Sequence, residues 1–183
     1  MIRIRAKEIA YCVDQTRRQA ETAAVRACLS SLGIEAQLSH RSSGAPYIKD
    51  CPEVVVSITH SRQWAVVALG ELKDAPFGID VENANRIQLQ RVAPRVLSSE
   101  ELTAALSESQ GFVKAWTAKE AVFKAVSVDG VDFKNDIRLL SPGFSHALYD
   151  KNKQKFDLTY IILAHDSLLC LASKGNNFEF KTL

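Results

Sequence analysis

Residues 115–125 read "AWTAKEAVFKA". Wound as a helix, they gather Trp116, Phe123 and the following Val126 on one face with Phe112, yet Lys119 falls inside that arc and Glu120 and Lys124 flank it. A helix lying on a core keeps its charges on the far side, so the question posed by this stretch is what the three charged residues face. Two answers are open. Glu120 and Lys124 form an (i, i+4) pair in the favourable order, worth about 0.2–0.5 kcal/mol on any exposed helix. Lys119 either snorkels past its neighbours to water or reaches into a cleft where an anion binds.

The flanking segments predict what the helix packs against. Ser98 followed by Glu101 is a capping box that opens a short helix before Gly111. Upstream, "FGIDVEN" (77–83) is a short strand after Pro76; alternation puts Ile79 and Val81 on one side and Asp80 and Glu82 on the other. "EVVVSITH" (53–60) and "WAVVALGEL" (64–72) are β-branched runs joined by Ser61-Arg62-Gln63, a hairpin with a short turn. From about Thr16 to Leu32, Ala20, Ala23, Ala24, Ala27, Cys28 and Leu32 recur at helical spacing, with Gly33 as the stop. Downstream, "GFSHALYD" (143–150), "KFDLTYIILAH" (155–165), "SLLCLAS" (167–173) and "NFEFKTL" (177–183) read as antiparallel strands. The expected fold is α+β with two helix-on-sheet layers.

At 183 residues with 46% hydrophobic content, the chain suffices for one domain or two small interlocked halves around a real core. A net charge of +2 is too mild for a general nucleic-acid binder. The N-terminal "MIRIRAKEIAYCVDQTRRQ" alternates basic and apolar residues and holds neither a secretory signal nor a membrane span, so the expected location is cytoplasmic, with no membrane partner. Cys12, Cys28, Cys51 and Cys170 are too scattered for a zinc site and read as reduced core thiols; His40, His146 and His165 have no companions at ligand spacing.

Asp80 and Glu82 on one strand face, without a local cation, ask for compensation by solvent or by a metal. Mg²⁺ suits: it accepts one or two carboxylates, keeps several waters and fills its remaining positions with phosphate oxygens, and Glu120 could be the third ligand. Taken alone, an Asp-x-Glu is more often the solvated face of a strand. Thr59, His60 and Ser61 are three consecutive hydrogen-bonding side chains at the hairpin mouth, a candidate phosphate cradle.

Read in order, "SITHSRQWAVVAL", "FGIDVE" and "FVKAWTAKEAVFKA" resemble the signature of the 4′-phosphopantetheinyl transferases, in particular the monomeric surfactin-synthetase-activating type. In that family a Ser/Thr-His-Ser hairpin precedes a G-[IV]-D-[IV]-E strand and a W-[STC]-x-K-E-x-x-x-K helix. The blocks run from about Val54 to Ala125, with weaker agreement back through "SSGAP" to "DQTRR". The resemblance implies two pseudo-symmetric halves, 1–75 on the nucleotide side of coenzyme A and 76–183 carrying the metal and catalytic helix, with the active site in the cleft between them. It also implies transfer of 4′-phosphopantetheine from coenzyme A to a serine of an apo acyl or peptidyl carrier protein, releasing 3′,5′-bisphosphoadenosine. Asp80, Glu82 and Glu120 would hold Mg²⁺, with Mn²⁺ as second choice. Glu120 and Lys124 would be catalytic, and Arg17, Gly44, Pro46, Thr59, His60, Ser61, Lys119 and Lys124 would bind coenzyme A, with Arg17 and His60 on the 3′-phosphate. Gly44-Ala45-Pro46 stands where surfactin-type members commonly have Gly-Lys-Pro, and of the family's basic leader only Arg3, Arg5 and Lys7 are present; Arg41, in the same loop, is a candidate to compensate.

Two competing readings fit parts of the pattern. The three carboxylates could serve a Mg²⁺-dependent phosphodiesterase or nuclease, although no nucleophile or second-metal cluster is visible. Ala45 and the short leader would also suit a non-catalytic carrier-protein binder.

Overall fold

The computed structural model describes residues 1–140, 142–175 and 177–183. The first half begins with strand β1 (Ile2–Glu8) and helix α1 (Arg17–Ser31), whose N-cap Thr16 forms a capping box with Gln19. A small hairpin, β2 (Leu38–His40) and β3 (Pro46–Ile48), leads to the long hairpin β4 (Val54–His60) and β5 (Trp64–Glu71). The second half begins with β6 (Gly78–Asn83) and continues through α2 (Gln88–Val96), α3 (Ser99–Ser107) and α4 (Gly111–Val126). Strands β7 (Ile137–Leu140), β8 (His146–Tyr149), β9 (Gln154–Leu163), β10 (Ser167–Ser173) and β11 (Phe178–Thr182) complete the chain. Among the described residues no helix is long and apolar enough to cross a membrane.

The two halves share one connectivity. In the first, β1 pairs antiparallel with β5 and β5 with β4; in the second, β6 pairs antiparallel with β10 and β10 with β9, and β8 and β7 extend the sheet. The helix of each half lies on the pair made by that half's first and last core strands, α1 on β1 and β5, α4 on β6 and β10. The α+β expectation holds, with one rearrangement. β11 does not continue the second sheet but adds in parallel to β1, Ile2 opposite Phe178 and Ala6 opposite Thr182. Residues 178–182 thus join the sheet of β1, and the last strand is not antiparallel as its neighbours are. Its pattern explains the choice: Phe178 and Phe180 alternate with Glu179 and Lys181, and the aromatic residues join the apolar layer of Ile2 and Ile4.

That layer lies between the sheets. Ile2, Ile4, Ala6, Trp64, Val66 and Ala68 from one sheet meet Ile79, Val81, Leu169 and Leu171 from the other, with Phe77 just ahead of β6. Along the seam where β4 and β6 adjoin, two hydroxyls replace backbone pairing: Ser57 Oγ accepts from the Ile79 N–H at 3.1 Å and Thr59 Oγ1 from the Val81 N–H at 3.2 Å. Both strands repeat every second residue, so hydroxyls at 57 and 59 match donors at 79 and 81.

Helix α4 packs differently from the simple aromatic-face expectation. Its buried stripe is Ala115, Ala118, Ala121, Val122 and Ala125, while Phe112, Trp116 and Phe123 are partly buried at its flanks. Gly78 shows why small residues are needed. A Cβ there would lie 2.2 Å from the Ala121 carbonyl oxygen and 2.6 Å from the Ala125 nitrogen, so the helix backbone rests directly on the start of β6. This close approach sets Lys124 over Asp80.

Candidate active site

The second half brings its charges together at the seam. As alternation predicts, Ile79 and Val81 enter the inter-sheet core while Asp80 and Glu82 take the opposite face. Asp80 Oδ1 receives Lys124 Nζ at 2.7 Å and Thr59 Oγ1 at 3.0 Å. Burial pushes the Asp80 carboxyl upward, and Lys124 and then Thr59 oppose it. Glu120 lies one turn before Lys124 and, among the described residues, its carboxylate accepts no hydrogen bond and forms no ion pair. Its carboxyl is raised to about 6, first by burial and then by the Asp80 charge, with Lys124 pulling it down and Glu82 adding to the rise. Glu82 pairs with Arg86 and also accepts from the Asn83 N–H at 2.8 Å. Glu120 and Lys124 are thus not an isolated exposed ion pair: Lys124 is engaged by Asp80, and Glu120 is held near two further carboxylates.

Lys119 is a correction. Expected at a phosphate, it is 0% exposed and donates to Glu101 Oε2 at 2.8 Å, the Phe133 carbonyl at 2.8 Å and the Ile137 carbonyl at 2.7 Å. Those three bonds use every proton of the ammonium, leaving none for a ligand. Burial lowers its pKa while Glu101 raises it. Glu101 was legible only as the capping residue of α3. It serves the cap, accepting from the Ser98 N–H at 2.8 Å, and also takes the Leu139 N–H at 2.7 Å.

The proposed cradle of three consecutive residues does not form either, because neighbours along a strand point to opposite faces. Thr59 is 4% exposed and turned to Asp80. Ser61 is buried in the hairpin turn, where its hydroxyl accepts from the Trp64 N–H at 3.2 Å and the Gln63 N–H at 3.4 Å. His60 alone of the three opens outward, its side chain 49% exposed.

His60 does meet the other residues assigned to the nucleotide side. Arg17, Gly44, Pro46 and His60 line one cavity of about 1230 Å³ between α1, the β2–β3 turn and the end of β4. Glu21, not anticipated, links the two basic residues: Arg17 Nε lies 2.7 Å and His60 Nδ1 3.6 Å from the same Oε1. The (i, i+4) spacing of Arg17 and Glu21 was the signal available for it. A second cavity, about 470 Å³, lies across the same turn and is lined by Gly44, Pro46, Tyr47, Phe77, Phe123 and Lys124. Arg41 borders it, its guanidinium 5.3 Å from the centre of the Tyr47 ring.

The donor set at the seam suits a hard divalent cation, since Asp80, Glu82 and Glu120 are all carboxylates and Glu120 titrates high beside the other two. Among the described residues no three such side chains converge as a finished cage. Asp80 is paired with Lys124 through Oδ1 and Glu82 with Arg86 through Oε2.

The α+β chain thus gathers carboxylates and a lysine where the sheets of its two like halves meet. The comparisons make the class specific. Residues 76–172, from the start of the second half through β10, match the 4′-phosphopantetheinyl transferase superfamily, and the chain belongs to it. Over 87 residues it is 33% identical to the 4′-phosphopantetheinyl transferase psf-1 of Bacillus pumilus, a match covering 45% of this chain and 36% of that relative.

Proposed function

We propose that this protein transfers the 4′-phosphopantetheine group of coenzyme A to a serine of an apo acyl or peptidyl carrier protein. The observation that carries the reading is the pair of buried Asp80 with half-buried Lys124 beside Glu120, at the seam between the halves and across the β2–β3 turn from the cavity of Arg17 and His60. In this reading the 3′-phosphate of coenzyme A lies against Arg17 and His60, displacing Glu21, and Gly44 and Pro46 border the nucleotide. Lys124 faces the diphosphate. Asp80, Glu82 and Glu120 would hold Mg²⁺, or Mn²⁺, which when bound supplies charge neutralisation for the phosphate oxygens.

The remaining chemistry belongs to the chain itself. The carrier serine oxygen forms a bond to the β-phosphorus as the bond from that phosphorus to the bridging oxygen breaks, and 3′,5′-bisphosphoadenosine leaves. Glu120, raised towards neutrality, takes the serine proton. Lys124 neutralises charge that builds on the leaving phosphate. Phosphoryl transfer asks mainly for alignment and such neutralisation, which a lysine fixed by a buried aspartate provides.

In this reading the protein works in the cytoplasm, with coenzyme A and carrier proteins as its partners. We read the working unit as a monomer, because both halves of the cleft come from one chain. The test is incubation with coenzyme A, Mg²⁺ and a panel of apo carrier proteins, read by intact mass. Addition of phosphopantetheine to at least one carrier is expected; a correctly folded protein that modifies none would overturn the reading.

A further inference from the structure

We propose that Thr59 is a positioning residue for Asp80, a hydroxyl from one half that fixes the acidic centre of the other. The inference rests on the reading of Asp80 as part of the transfer site. A threonine hydroxyl has one proton to give. Here the Val81 N–H, at 3.2 Å, occupies a lone pair of Thr59 Oγ1, and the proton is directed to Asp80 Oδ1 at 3.0 Å. Lys124 donates to that same oxygen at 2.7 Å. Both donors therefore hold Oδ1, and among the described residues Oδ2 carries no hydrogen bond, leaving one carboxylate oxygen for a cation.

Thr59 is buried and cannot meet a ligand from solvent. Its neighbour His60 faces the large cavity, so successive positions of β4 serve the two sides of the cleft. Ser57 supplies an internal control. It makes the same kind of bond across the seam, accepting from the Ile79 N–H at 3.1 Å, but its hydroxyl makes no bond to Asp80. A seam clamp and a positioning residue can thus be told apart.

The experiment compares Thr59→Val, which keeps the shape and loses the hydroxyl, with Thr59→Ser and Ser57→Ala. Thr59→Val is expected to lower kcat about tenfold or more while KM for coenzyme A stays within about twofold, and Thr59→Ser to restore kcat. The Mg²⁺-induced rise in melting temperature, measured without coenzyme A, should fall to about half or less in Thr59→Val and persist in Thr59→Ser. Ser57→Ala should lower the melting temperature as Thr59→Val does and leave kcat near that of the wild type. Equal kcat in Thr59→Val and Ser57→Ala would overturn the proposal, as would a Thr59→Val defect confined to KM. A separate measurement does not depend on turnover: in unfolding equilibria, Thr59→Val and Asp80→Ala should be non-additive by about fivefold or more, and additivity would remove the link. Were the wild type inactive with every carrier protein, the functional reading would fall while this cycle still decided whether Thr59 holds Asp80.

Discussion

Lys119 and Glu101 form a 2.8 Å ion pair whose side chains are 0% and 3% exposed, tying α4 to α3 and to the start of β7. A lysine of the sequence signature is thus part of the frame. Removing one partner of such a pair strands a buried charge, so Lys119→Met should destabilise the protein by about 3–5 kcal/mol. Lys119→Met combined with Glu101→Gln should recover part of that loss, because Gln removes the stranded charge and keeps an acceptor for the Leu139 N–H. Urea unfolding checks both, and a stable Lys119→Met variant with weakened coenzyme A binding would return Lys119 to the phosphate side.

Glu120 predicts a pH dependence of the metal-free protein. Its folded pKa of about 6 lies above the ordinary 4.5, so the protonated form favours folding. The stability it contributes is fully present below pH 4.5 and is lost as pH rises through about 6, an effect on the order of 1–2 kcal/mol. Glu120→Gln should flatten the melting-temperature profile across that window and leave the variant more stable than the wild type at pH 7. A profile unchanged by the substitution would contradict the burial argument.

The elements of the cleft were readable where one period decides them. Alternation set the two faces of β6, β-branched runs marked β4 and β5, and helical spacing marked α1 and α4. Facing was harder to read, because it depends on partners distant in sequence. Lys119 looked like a cleft residue, since Glu101, its partner, is on another helix. Thr59 and Ser61 looked like a cradle with His60 until strand alternation separated them. The "IRIRAKE" segment alternates as a strand does and forms β1, and its Arg5 is paired with Glu179 of β11, a partner far off in sequence. Helix α2 escaped notice because Pro94 lies inside it.

The cavity residues predict selectivity for the 3′-phosphate. His60→Ala should weaken binding of coenzyme A by roughly ten- to a hundredfold, the worth of a charge-assisted hydrogen bond, and barely change binding of 3′-dephospho-coenzyme A. Glu21→Gln, which frees Arg17 and His60 from their shared carboxylate, should tighten coenzyme A binding and not that of the dephosphorylated ligand. Titration calorimetry measures both, and equal effects on the two ligands would move the 3′-phosphate elsewhere.

The most direct measurement of the central claim, that Glu120 and Lys124 serve a transfer site and not merely a surface, is the rate of phosphopantetheine transfer by Glu120→Gln and Lys124→Met. Each variant should remain folded, because the Glu120 carboxylate accepts no hydrogen bond among the described residues and Asp80, which loses its cation in Lys124→Met, keeps the Thr59 hydroxyl and can take up a proton. Transfer should fall by orders of magnitude in both. Extra Mg²⁺ should restore only part of the Glu120→Gln rate, since the proton acceptor is gone as well, and Lys124→Met should lower kcat more than it raises KM. Near wild-type kcat in both variants would contradict the account.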